Sequence, residues 1–120
     1  MAEILVVDDN ADIRRLFRAM LGQMHSVCEA ESGATALEMI RQLHPKLVFL
    51  DVMMPGELNG LQVLSAVRED PVVHNTPIIM VTARGQEVDL ANAERHGADG
   101  YVVKPFGLKE LTMWTDKYLK

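Results

Sequence analysis

The sequence predicts a doubly wound α/β domain built on a parallel sheet, and two patterns lead to this fold class. Five short runs rich in apolar or β-branched residues alternate with five longer amphipathic stretches. The runs at 4–7, 47–50 and 78–81 are almost continuously apolar, as expected for parallel strands that helices cover on both faces. Crossovers between parallel strands are right-handed, so these units wind into a single sheet with helices on either side.

The elements follow in order along the chain. The predicted strands are 4–7, 26–30, 47–50, 78–81 and 101–103, and the predicted helices are 11–24, 34–43, 60–68, 86–96 and 108–119. Turn residues agree with these bounds, since Gly33 and Pro45 bracket the second helix, Pro71 follows the third and Gly97 follows the fourth. The run 26–30 carries the charged Glu29, and we therefore expect it at an edge of the sheet.

Composition limits the classes of function. With 120 residues, 48% of them hydrophobic and 24% charged, we expect one globular domain over 1–120. The net charge of -5 argues against direct nucleic-acid binding, which requires a basic surface. Cys28 is the single cysteine, no signal peptide is recognisable, and no apolar run reaches the roughly 20 residues of a membrane span. We expect a cytoplasmic protein with no membrane contact.

Polar residues stand where four of the predicted strands end: Asp8, Asp9, Asp51, Thr82 and Lys104. The carboxyl ends of parallel strands meet at one edge of the sheet, where ligands bind in doubly wound folds. Two carboxylates about 4 Å apart repel by about 1 kcal/mol in water and about 4 kcal/mol at an effective dielectric of 20. Lys104 offsets part of this repulsion, and a hard divalent cation such as Mg²⁺ would offset the rest. The pattern favours phosphoryl chemistry, with the isolated Asp51 as nucleophile and the Asp8–Asp9 pair as metal ligands.

Four segments carry a resemblance to a known family. The stretches ILVVDDN, LVFLDVMMPG, IIMVTA and YVVKPF resemble the motif blocks of the receiver domains of two-component response regulators, in order and with matching separations. The resemblance covers almost the whole chain. It implies a flavodoxin-like (βα)5 fold with a five-stranded parallel sheet in the strand order 2-1-3-4-5.

The resemblance also implies a phosphorelay function. Asp51 would accept a phosphoryl group from the phosphohistidine of a sensor histidine kinase or phosphotransfer domain, or from a small donor such as acetyl phosphate. Mg²⁺ would be held by Asp8, largely through water, by Asp9 and Asp51, and by the backbone carbonyl of Met53. Such a domain is a signalling module, and it catalyses only its own phosphorylation and dephosphorylation.

Four further residues match positions that, in this family, contact the phosphoryl group or respond to it. Lys104 would pair with a phosphoryl oxygen, and Pro105 would follow a cis peptide bond. Thr82 would move to the phosphoryl group and Tyr101 would swing inward, so that an output domain or target protein could read the change. Thr82 and Tyr101 could also be ordinary strand residues.

Two positions beside the pocket depart from the common pattern. Met53 and Arg84 stand at places that tune how readily water attacks the acyl phosphate in this family. A bulky thioether and a long cation could shield the bond, which gives the hypothesis of slow self-dephosphorylation.

Three other functions stay open at this stage. A haloacid-dehalogenase-like phosphatase would need an acid two residues after Asp51, where Met53 stands. A flavodoxin-like mononucleotide binder would need a glycine-rich first turn, and the stretch DDNADI has none. A receiver fold that only binds partners, without phosphorylation, fits the sequence too.

The last helix and the methionines carry smaller expectations. Leu108 and Leu111 are predicted to face the core, and Trp114 either is exposed as a partner anchor or lies over a neighbouring element. The eight methionines are predicted to fill the core, with Met20 and Met24 on one helical face.

Overall fold

The computed structural model describes residues 3–54, 56, 58–83, 91 and 93–119. The strands are β1 (Ile4–Val7), β2 (Val27–Ala30), β3 (Leu47–Asp51), β4 (Ile78–Ala83) and β5 (Gly100–Lys104). The helices are α1 (Ala11–Leu21), α2 (Gly33–Leu43), α3 (Gly60–Glu69) and a C-terminal helix (Leu108–Leu119).

The strands form one parallel sheet in the order β2-β1-β3-β4-β5. This confirms the predicted order and the edge position of β2. Successive residues of a strand face opposite sides of the sheet, and β1 illustrates this. Leu5 and Val7 belong to one apolar cluster, whereas Ile4 and Val6 belong to another. Two buried layers therefore sandwich the sheet and hold its strand ends in fixed positions.

Side-chain caps set the starts of the helices that follow the central strands. The Asn10 side chain accepts a hydrogen bond from the N–H of Asp12 where α1 begins. At α3, the Asn59 side chain and that of Gln62 each accept from the other residue's backbone N–H. Caps of this kind satisfy N–H groups that have no partner within the helix.

One predicted helix is shorter in the structure, and another lies partly outside the described residues. The first helix was predicted to run to Met24 and ends at Leu21, because the chain turns over 22–25 to enter β2. Met24 is consequently exposed, as are Met53 and Met113, and the predicted place of these three methionines in the core was wrong. For the predicted helix 86–96, positions 91 and 93–95 are helical and Gly97 has a φ of 95° beyond them. Positions 86–90 and 92 lie outside the described residues.

The C-terminal helix packs on the sheet through Leu111 and Thr115, both buried. Leu108 was predicted to face the core and is exposed instead, because it is the first helical residue and precedes the turn that meets the sheet. Trp114 is partly buried over β5, where a Cβ atom on Gly100 would lie 2.3 Å from its Cη2. Of the two alternatives for Trp114, packing over a neighbour is therefore the one observed. Within the described ranges, none of the helices has the length and apolar character of a membrane span.

Candidate functional site

Strand register brings the predicted site residues to one edge of the sheet. The last paired residues of β1 and β3 are followed, respectively, by Asp8 and Asp51, which thus lie side by side. Asp51 pairs in turn with Val81 of β4, and Thr82 comes next on that strand. Lys104 ends β5 beside the end of β4. The sequence prediction of a single polar edge is confirmed.

The three carboxylates form a compact group at this edge, here called the acid cluster: Asp8, Asp9 and Asp51. One carboxylate oxygen from each lies within 4.8 Å of the others. Asp8 is 1% exposed and Asp51 5%, whereas Asp9 is exposed. The Nζ atom of Lys104 lies 2.9 Å from Oδ2 of Asp8 and 3.8 Å from Oδ2 of Asp51. One ammonium among three carboxylates leaves an excess of negative charge.

Asp8 is fixed from several directions. Its Oδ1 accepts a hydrogen bond of 2.9 Å from the N–H of Asn10, and its Oδ2 accepts one from Lys104. Its backbone carbonyl accepts from Nη1 of Arg14 at 2.7 Å. Arg14 was not expected from the sequence, because an arginine on the first turns of a helix carries no signal of its own. The contact between Arg14 and the carbonyl of Asp8 depends on how α1 packs beside β1.

The electrostatic environment of Asp51 favours its neutral form. Burial raises the pKa of Asp51 to about 7, and the negative charge of Asp8 acts in the same direction. Lys104 and the hydrogen bond from the N–H of Met53, 3.3 Å from Oδ1, oppose this effect. An added cation in the cluster would favour the ionised form of Asp51. That is the form that can act as a nucleophile near neutral pH.

The start of α3 lies directly against the strand end that carries Asp51. The N–H of Gly60 donates to the carbonyl of Val52 at 3.1 Å. A Cβ atom on Gly60 would lie only 2.0 Å from the carbonyl oxygen of Asp51. Glycine permits this close approach of two backbones, so Gly60 helps to fix the position of Asp51. The sequence had indicated Gly60 only as a helix start.

The remaining predicted residues surround this cluster at different depths. Thr82 is buried, and its hydroxyl donates to the carbonyl of Ala83 at 3.3 Å. Tyr101 is about half exposed on β5, away from the carboxylates at the strand ends. The peptide bond between Lys104 and Pro105 is cis, as the resemblance implied. The Met53 side chain is exposed, and the metal-binding role of its carbonyl stays a prediction.

Arg84 lies outside the described residues, so its predicted place beside the pocket is untested.

Residues 4–115 match the family described as the response regulator receiver domain. Among curated proteins, the chain is 41% identical over 112 residues to the transcriptional regulatory protein ResD of Bacillus subtilis, covering 92% of this chain and 45% of ResD. It is 46% identical over 110 residues to the probable transcriptional regulator ycf27 of Porphyra purpurea, covering 91% of this chain and 44% of that protein. The chain thus spans less than half the length of these relatives.

Solved structures agree with the sequence comparisons. The receiver domain of NtrX from Brucella abortus is similar with a TM-score of 0.88 and 33% identity, over 97% of both chains. A putative response regulator from Chloroflexus aurantiacus gives a TM-score of 0.90 and 31% identity, over 98% of this chain and 97% of that one. The chain belongs to the receiver domain family of two-component response regulators.

Proposed function

We propose that this receiver domain accepts a phosphoryl group on the carboxylate of Asp51, in a magnesium-dependent reaction. The donor would be the phosphohistidine of a sensor histidine kinase or phosphotransfer domain, or a small phosphodonor. The observation that carries the proposal is the placement of a buried aspartate within 4.8 Å of two further carboxylates and 3.8 Å from a lysine ammonium. The domain is then a signalling module that catalyses only its own phosphorylation and dephosphorylation.

The acid cluster has the donor chemistry that Mg²⁺ requires. Its ligands are hard carboxylate oxygens, and its charge is compensated only in part by Lys104. Asp9 and Asp51 would hold the ion directly, with the carbonyl of Met53 as a further ligand. Both oxygens of Asp8 already accept hydrogen bonds, which supports a role through water. When bound, the ion would neutralise charge on the phosphoryl oxygens.

The transfer step needs a deprotonated Asp51. A carboxylate oxygen of Asp51 forms a bond to phosphorus while the bond from phosphorus to the donor nitrogen breaks, and the leaving imidazole keeps the electron pair. The product is an acyl phosphate. Lys104, 3.8 Å from Oδ2 of Asp51, is close enough to turn from the carboxylate to a new phosphoryl oxygen and stabilise it.

Phosphorylation of Asp51 would be converted into a change of the protein surface through Thr82 and Tyr101. The hydroxyl of Thr82 makes a long hydrogen bond of 3.3 Å to a neighbouring carbonyl, and a phosphoryl oxygen is a stronger acceptor. Movement of Thr82 toward Asp51 would free space into which the half-exposed ring of Tyr101 can turn. Because the phosphoryl group interacts differently with the two arrangements, it shifts their populations.

The altered surface would act on an output domain or a separate target protein. ResD and ycf27 are named as transcriptional regulators, and we propose that any nucleic-acid contact belongs to a partner or another domain. The net charge of -5 argues against such contact by this domain itself. We propose a cytoplasmic location, where histidine kinases present their phosphohistidine.

Incubation with acetyl phosphate and Mg²⁺, followed by intact mass spectrometry, tests the proposed function. Wild type is expected to gain one phosphoryl group, and this gain should disappear when EDTA removes the metal or when Asp51 is replaced in Asp51→Asn. Asp12→Asn, which alters an exposed aspartate on α1, should retain it. No gain with acetyl phosphate, phosphoramidate or a phosphorylated kinase would contradict the proposal and favour a scaffold that only binds partners.

The lifetime of the phosphoryl group gives a separate prediction for Met53. Its thioether is a weak hydrogen-bond acceptor and cannot orient an attacking water, whereas an amide can. Met53→Asn is therefore expected to shorten the half-life of phosphorylated Asp51, measured by the decay of the phosphorylated mass after donor removal. Met113→Asn is a matched control, because Met53 and Met113 are both 56% exposed and Met113 lies on the C-terminal helix. A wild-type half-life equal to or shorter than that of Met53→Asn would contradict the prediction.

A further inference from the structure

Arg14 bridges the acid cluster to the edge of the sheet. Its Nη1 donates to the backbone carbonyl of Asp8 at 2.7 Å, and its Nε donates to Oε1 of Glu29 on β2 at 3.0 Å. The side chain is only 15% exposed. A guanidinium group offers several donors in a rigid plane, so it can hold both partners at once.

The carbonyl that Arg14 holds belongs to the peptide that joins Asp8 to Asp9. Fixing that peptide plane fixes the backbone from which both carboxylates extend. The N–H of Asp8 is held as well, because it donates to the carbonyl of Ala30 on β2 at 3.1 Å. Both of these backbone restraints on Asp8 lead to the same edge strand. Two of the three carboxylates in the acid cluster, those of Asp8 and Asp9, thus extend from backbone that is held to β2.

Glu29 is suited to be the anchor of this arrangement. Its second oxygen accepts from Nε of Arg18 at 2.8 Å. The hydrogen bond from Arg18 and that from Arg14 hold the pKa of Glu29 below its usual range despite some desolvation. The usual pKa of Glu29, 4.5, already lies well below neutral pH, so the anchor stays ionised with Arg14 alone and the bridge keeps the charge-assisted hydrogen bond from Arg14.

We propose that Arg14 is a positioning residue for the acid cluster, and that it orients the Asp8 and Asp9 carboxylates for magnesium through the Asp8 carbonyl, with Glu29 as its anchor. The inference rests on the proposed function of the cluster as a magnesium-dependent phosphoacceptor site. It adds a residue on α1 and one on β2 to that site. Neither touches the reacting atoms.

The chain supplies a matched control one helical turn away. Arg18 binds the same Glu29 and also donates to a backbone carbonyl, that of Val27 at 2.9 Å. Val27 begins β2, at the opposite end of the strand from the acid cluster. Arg18→Met therefore removes the same kind of bridge and the same charge without releasing Asp8.

The sign of the effect separates positioning from simple electrostatics. Removing a cation near three carboxylates would by charge alone tighten Mg²⁺ binding. Loss of positioning would weaken it, and groups that orient metal ligands typically contribute roughly 10–100-fold in affinity. Arg14→Lys keeps the charge, but a single ammonium is a poor bridge between the Asp8 carbonyl and Glu29. It should also bind Mg²⁺ more weakly, to a smaller extent than Arg14→Met.

Isothermal titration calorimetry with Mg²⁺ tests the inference on wild type, Arg14→Met, Arg14→Lys and Arg18→Met. We expect the Kd of Arg14→Met to rise roughly tenfold and that of Arg18→Met to stay at the wild-type value. Phosphorylation by acetyl phosphate should need correspondingly more Mg²⁺ in Arg14→Met and reach the wild-type extent at saturating Mg²⁺. If Arg14→Met does not fold, weaker binding by Arg14→Lys alone supports the inference.

The outcomes that would overturn this inference differ from those that would overturn the proposed function. An unchanged or lower Kd in Arg14→Met, or in Arg14→Lys if only that variant folds, overturns the inference. So does an equal rise in Arg18→Met. In each case wild type would still bind Mg²⁺ and accept the phosphoryl group, so the proposed function would stand. A wild type that binds no Mg²⁺ and accepts no phosphoryl group overturns both.

Discussion

Gly60→Ala is expected to lower the free energy of unfolding by about 3 kcal/mol, at the upper end of what overpacking usually costs. The added Cβ would lie 2.0 Å from the carbonyl oxygen of Asp51 and 2.9 Å from Cα of Val52. Both are backbone atoms, which cannot move aside as a flexible side chain can. The start of α3 must therefore shift away from β3. Urea denaturation of the metal-free protein measures the loss.

Gly107→Ala is the control for Gly60→Ala. A Cβ atom on Gly107 would meet only the end of the Glu110 side chain, at 3.1 Å, and this flexible side chain can give by the small amount needed while it still accepts from the N–H of Gly107. We expect a change in stability within about 0.5 kcal/mol, as for most surface substitutions. Equal effects of the two substitutions would contradict the role of Gly60 in holding α3 against Asp51.

Asp51→Asn is expected to stabilise the metal-free protein, and the gain should depend on pH. The pKa of Asp51 is raised from an ordinary 3.8 to about 7, chiefly by burial. The folded state therefore holds this proton more tightly than the unfolded chain does. Wild type loses this contribution as pH rises from about 4 to about 7, and asparagine does not titrate. The stability difference should grow across that window and level off above it, at roughly 2–4 kcal/mol.

Denaturant unfolding at a series of pH values, in the presence of EDTA, measures this difference. Asp9→Asn is the control, because it also removes one negative charge from the acid cluster but from an exposed position. Its gain should be smaller, since water solvates that carboxylate. A difference between wild type and Asp51→Asn that does not change from pH 4 to pH 8 would contradict a raised pKa at Asp51.

The sequence was sufficient to predict the sheet and which polar residues meet at its edge. Strand-end residues such as Asp51 and Lys104 follow apolar runs directly, and parallel strands place their carboxyl ends together whatever the details of packing. Register then decides which neighbours meet. The observed register places Nζ of Lys104 2.9 Å from Oδ2 of Asp8. This agrees with the expectation that Lys104 offsets part of the repulsion between the carboxylates.

The features that the sequence did not predict depend on tertiary packing. The bridge from Arg14 to Glu29 joins residues 15 positions apart on different elements, and an exposed helical arginine would give the same local pattern. Met24 fits the helical periodicity of the sequence, but α1 ends at Leu21, where the chain turns toward β2. Leu108 was misplaced because periodicity assigns a face to a residue without showing where the helix first meets the sheet.

The identity of the phosphorylated residue decides whether Asp51 is the phosphoacceptor. After reaction with acetyl phosphate and Mg²⁺, borohydride reduces an acyl phosphate, and peptide mass spectrometry then locates the altered aspartate. The proposed chemistry predicts reduction at Asp51 alone, with none in a sample treated with EDTA. Reduction at Asp8 or at Asp9, or reduction at no residue, would contradict it.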